Sequence, residues 1–154
     1  MSPWDKGRAD IERLLADGRL QRVPAADPNT DLLAVSWRHV QSAEDVLDRD
    51  LEGAYTLAYD AIRKAMVSYL AVQGLRATQA GGHVVLTECA RAQLVPPMAG
   101  LVNTFDRIRR SRNNVEYPPT GAEEMTHEEV DEDIAEVRSA LETIAKLLVV
   151  LPVF

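Results

Sequence analysis

Apolar side chains recur along most of this chain at alternating spacings of three and four, the repeat that lines one face of an α-helix. The longest instance is Val130, Ile134, Val137, Leu141, Ile144, Leu148 and Leu151, which holds the repeat for three heptads. Tyr55, Tyr59, Ile62, Met66 and Tyr69 form a second stripe, and Met98, Leu101, Phe105 and Ile108 a third. Leu33, Trp37, Val40, Ala43 and Leu47 share one face of another segment, and Ile11, Leu14 and Leu15 make a short stripe near the start. No segment alternates apolar and polar residues with a period of two, so the pattern predicts an all-α helical bundle without a sheet.

Breakers divide these stripes. Ser2-Pro3-Trp4-Asp5 reads as a helix start, with serine as cap and proline at the first helical position, and Gly18 reads as the stop. Residues 20–26 read as an extended connector, after which Asp27-Pro28 opens the second helix. Gly74 ends the third, Ala80-Gly81-Gly82 is a turn, and His83 to Leu94 is a short helix stopped by Pro96-Pro97, with Pro97 able to open the next. Pro118-Pro119-Thr120-Gly121 is a further break, and Thr126-His127-Glu128-Glu129 has the spacing of a capping box. The longest helices are expected near residues 29–48, 53–73, 97–116 and 127–150. Residues 1–26 form an N-terminal helix and connector, and 27–154 the bundle, within a single domain overall.

Composition narrows the setting. Cys89 is the only cysteine, which excludes an internal disulfide and points to a reducing compartment. It lies within a predicted helix and reads as a small buried hydrophobe. The first residues lack an apolar signal core, and the apolar run from Leu147 to Val153 falls far short of the ~20 residues that span a bilayer, so a cytoplasmic location off the membrane is expected. The net charge of −7 opposes broad binding to polyanions but leaves room for a local basic site.

One such site exists. Residues 105–117 read Phe-Asp-Arg-Ile-Arg-Arg-Ser-Arg-Asn-Asn-Val-Glu-Tyr, placing four arginines within six positions. Continuing the Leu101, Phe105, Ile108 stripe at helical spacing lands on Arg112, so that guanidinium is directed towards the core or a subunit seam and needs a partner. Glu116 stands one turn on and can supply a carboxylate, with Asn113 and Tyr117 beside it. Two readings are open: an ion-pair network that closes the helix end, and a cationic cleft for phosphate or nucleotide. The tyrosine stripe on 55–69 invites comparison with a base-stacking platform, but its spacing fits core or dimer packing.

The alanine- and tyrosine-rich segment Gly53 to Ala65, the Gly74-Leu75-Arg76 turn with His83 beyond it, and Arg109 to Tyr117 ahead of the last helix resemble HEPN domains over roughly residues 30–150. The resemblance implies a HEPN-like up-and-down bundle, here with an extra N-terminal helix, and a homodimer. Many members are metal-independent ribonucleases that use an arginine followed about four to six residues later by histidine. Others are inactive or are partners of nucleotidyltransferases in toxin–antitoxin pairs. Arg112 matches the motif arginine and Asn113 the polar residue that often follows it, while Tyr117, Pro118 and Pro119 stand where the histidine belongs. A tyrosine with a pKa near ~10 moves a proton poorly at neutral pH.

The expected function is therefore binding, of a nucleotide, an RNA or a partner protein such as a nucleotidyltransferase, at Arg109, Arg112, Asn113, Glu116 and Tyr117. The alternatives are a divergent metal-independent ribonuclease and a purely structural or interaction bundle. Arg76 precedes His83 at a spacing close to the motif but in an earlier loop, and is read as coincidence. His39 and His127 read as surface residues, no two histidines have metal-ligand spacing, and no glycine loop cradles phosphate, so no metal or cofactor is expected.

Overall fold

The computed structural model describes residues 5–82 and 84–154. Within them lie six helices: α1 (Arg8–Ala16), α2 (Asp31–Val46), α3 (Leu51–Ala71), α4 (Val84–Leu94), α5 (Ala99–Glu116) and α6 (His127–Leu148). Two short strands, β1 (Leu20–Arg22) and β2 (Leu75–Ala77), complete the described elements. The expected helix start at residues 2–4 and the opening of α4 at His83 lie outside the described residues.

α3 is the central element. It packs on α2, α5 and α6. Its Ala54, Ala58, Ala61 and Ala65 are fully buried, so short side chains let neighbouring helices close in. Tyr55, Ile62, Met66 and Tyr69 are also fully buried and Tyr59 is 8% exposed, so the tyrosine stripe is core and offers no open stacking surface. Burying each such side chain contributes roughly 1.5–3 kcal/mol. α6 delivers Val130, Ile134, Val137, Leu141, Ile144 and Leu148 to the same core, while Leu151 lies past its end and is only partly buried.

The helix ends follow local chemistry. Thr126 and Glu129 form the expected reciprocal box at the start of α6. Asp50 caps α3 by accepting from the Gly53 N–H at 2.9 Å. α2 begins later than Asp27-Pro28 suggests, because the Thr30 hydroxyl accepts from the Leu33 N–H and fixes the first turn there. α5 likewise begins at Ala99, two residues beyond Pro97, after the Val95–Pro96 turn.

The expectation of no sheet is corrected by the β1–β2 pair, an antiparallel ladder that sets Leu20 opposite Ala77 and Arg22 opposite Leu75. Three-residue strands are too short to show a period of two, and their pairing joins segments more than fifty residues apart. Backbone bonds from Val23 N–H to Gly74 C=O (2.9 Å) and from Thr78 N–H to Arg19 C=O (3.0 Å) extend the seam. Gly74 makes this approach possible: its φ is +76°, and an added Cβ would meet the Val23 oxygen at 3.0 Å. With α1 on α4, the seam places Ile11, Leu14 and Leu20 in one hydrophobic core with the bundle.

Candidate functional site

α5 carries its arginines past a fully buried apolar flank of Val102, Phe105 and Ile108. Asp106, 7% exposed, gathers three of the chain's cations. Its carboxylate meets Arg109 at 2.9 Å, Arg110 at 2.7 Å and Arg91 of α4 at 3.3 Å. Burial alone would raise the Asp106 pKa, but the Arg109 hydrogen bond and the charges of Arg110 and Arg91 hold it below the usual carboxylate range.

A second cluster forms on α3 around Asp60. Asp60 accepts from Arg63 at 2.7 Å and from Lys64, the i+3 and i+4 spacing that brings side chains together on a helix. Burial opposes ionisation of Asp60, yet the Lys64 and Arg63 hydrogen bonds bring its pKa down to about 2. Nδ1 of His39, on α2, lies 2.7 Å from the same carboxylate at an angle that forms no hydrogen bond. His39 is thus half-buried against a charged cluster, not the plain surface residue its sequence context suggested.

Asp60 and Arg63 of the second cluster and Arg109 of the first line a groove of about 560 Å³, together with Thr56, Leu57 and Tyr59 of α3 and Arg112 and Asn113 of α5. Arg112 is ion-paired to Glu116 and lies over the Tyr59 ring, 5.4 Å from its centroid. Its side chain remains 30% exposed, so the guanidinium is partly desolvated and still reachable. Burial raises the Tyr59 pKa, with Arg63, Arg112 and Arg109 pulling against it.

Of the residues singled out on sequence, Arg109, Arg112 and Asn113 share this groove. Glu116 stands at its edge through Arg112, and Tyr117 is 75% exposed, outside the lining. Sequence reasoning missed Arg63, Lys64, Asp60 and Asp106 as members of the site. The local spacings 60/63/64 and 106/109/110 carried a signal, whereas the α2–α3 register that brings His39 in left none.

Six cations (Arg63, Lys64, Arg91, Arg109, Arg110 and Arg112) thus share three carboxylates (Asp60, Asp106 and Glu116). Three positive charges remain unbalanced in a chain whose net charge is −7. Guanidiniums in this setting recognise oxyanions through paired hydrogen bonds. The titratable groups on the walls suit binding better than proton transfer, since Asp60 is held ionised and the Tyr59 hydroxyl protonated around neutral pH.

Elsewhere, Cys89 is fully buried, and burial with the neighbouring Glu88 pushes its thiol up to about 12. No group of three metal-ligating side chains exists among the described residues, and no helix among them is long and apolar enough to cross a membrane. No family model, curated protein or solved structure matches this chain with significant similarity.

Proposed function

We propose that this chain is a HEPN-like binding protein whose α3–α5 groove takes the phosphate groups of a nucleotide or RNA. One observation carries the reading: in a chain whose net charge is −7, the lining of this groove sets Arg63, Arg109 and Arg112 against the single carboxylate of Asp60. The placement of that groove on the arginine-bearing helix ahead of the last helix supports the HEPN-like assignment. Most of the affinity is electrostatic, because Tyr59 is buried beneath Arg112 and presents no ring to a base.

The competing view, that the arginines only hold the fold, draws on the ion pair that each of the six cations makes. Fluorescence anisotropy with a labelled single-stranded RNA separates the two. The double variant Arg109→Gln/Arg112→Gln should lose most of the binding while keeping a cooperative melt. If neither the protein nor the variant binds RNA or a nucleoside triphosphate, the phosphate reading fails. A nucleotidyltransferase-type partner protein would then be the next candidate.

A further inference from the structure

We propose, on the phosphate reading of the α3–α5 groove, that His39 regulates that groove: once protonated, its ring pairs with Asp60 and leaves Arg63 freer to hold the ligand's phosphates. Nδ1 of His39 is buried, lies 2.7 Å from a carboxylate oxygen of Asp60 and completes no hydrogen bond there. The same carboxylate holds Arg63 at 2.7 Å and also Lys64, and both Asp60 and Arg63 stand on the groove wall. The His39 side chain is 30% exposed, so protons reach it from solvent. An imidazole is the side chain whose charge ordinarily changes between about pH 5 and 8. Asp60, with its pKa brought down to about 2, stays ionised throughout that range.

Charging the ring changes the groove in two ways that act in one direction. The misaligned Nδ1 contact becomes a charge-assisted hydrogen bond after a small turn of the ring, and Asp60 then divides its attraction among three cations. Arg63, which gives Asp60 one terminal nitrogen, is held less tightly and has more of its donors open to an oxyanion. The balance of His39, Arg63 and Lys64 against Asp60 also rises from one positive charge to two. Nothing else facing α2 offsets this among the described residues. α2 packs on α3 and α6. From α3 the ring meets Asp60, with Arg63 and Lys64 on the same carboxylate. From α6, Arg138 is held by Glu44 at 2.7 Å and His127 by Asp48 at 2.7 Å, and neither pairs with Asp60.

The test is fluorescence anisotropy of the full chain with a labelled oligouridine that carries no terminal phosphate, so that its charge stays constant from about pH 8 to about pH 5.5. Affinity should rise about three- to tenfold on acidification. His39→Gln should bind with one affinity across the range, whereas His127→Gln should keep the rise. In the wild-type chain, the NMR titration midpoint of the His39 ring should move up when RNA binds, the reciprocal of the same coupling. That measurement reads the ring directly and does not depend on His39→Gln keeping a cooperative melt. Wild-type affinity that is level with pH, a rise that persists in folded His39→Gln, or a His39 midpoint that RNA leaves in place would each overturn the proposal while the phosphate reading stands. No binding at any pH would instead overturn the phosphate reading, and the role of His39 with it.

Discussion

The Arg112 guanidinium sits over the Tyr59 ring, 5.4 Å from its centroid, and thereby ties the arginine-rich end of α5 to the central helix α3. The contact explains how a permanent charge can continue an apolar stripe: one face of the planar group meets an aromatic ring and one edge meets Glu116.

Arg112→Ala should therefore cost about 1–2 kcal/mol, the sum of a partly desolvated cation–π contact and a helical ion pair. For a domain of this size that lowers the melting temperature by about 2–8 °C. Arg112→Lys should recover part of the loss, since it keeps the charge but not the planar stacking. A thermal melt of the three proteins checks both statements. An unchanged melt for Arg112→Ala would mean that the ring contact does not hold α5 to α3.

Asp60 makes stability depend on acid. Its pKa falls from an ordinary 3.8 to about 2 on folding, so the unfolded chain binds the proton more readily than the native one. The stabilisation is present above the unfolded value and is lost as the pH drops through the interval from 3.8 to about 2. Asp60→Asn should remove about 1–2 kcal/mol at neutral pH and flatten the stability profile across that interval. Urea denaturation at several acidic pH values reads the slope directly, and an unchanged slope would remove Asp60 from the account.

Gly7 anchors α1. Its φ is +77°, and an added Cβ would come within 2.6 Å of the Ala92 carbonyl oxygen on α4. Gly7→Ala combines left-handed backbone strain of about 1–2 kcal/mol with that collision. The expected outcome is faster amide exchange in α1 and β1 with α3 and α6 still protected. Equal protection throughout α1 would contradict it.

On the HEPN-like reading proposed above, RNA incubated with the protein and a chelator should remain intact, because Tyr117, Pro118 and Pro119 stand where that family's histidine would be. Cleavage that disappears in both Arg112→Ala and His39→Ala would restore the ribonuclease alternative and assign proton transfer to His39 beside Asp60.

The sequence reveals most of the helices because each stripe is local: α6 announces itself through six apolar positions and a capping box. The β1–β2 pair stays hidden because Leu20 and Ala77 meet only through the fold of α2 and α3, which lie between them in the chain. The site divides the same way. Arg112 and Glu116 are one turn apart and legible, as are the spacings around Asp60 and Asp106, whereas the meeting of Arg63 with Arg109 and Arg112 depends on how α3 crosses α5. Tyr117 misleads because proximity in sequence does not carry it into the groove once the helix ends at Glu116.

The central claim is that phosphates bind in the α3–α5 groove, and the salt dependence of RNA binding tests it most directly. Three guanidiniums, on Arg63, Arg109 and Arg112, line the groove. If each neutralises one phosphate of a single strand, log K should fall against log salt with a slope of about −2. Arg109→Gln/Arg112→Gln should bring that slope to about −0.7, the contribution of a single contact. A slope near zero, or one that the double variant leaves unchanged, would contradict the account.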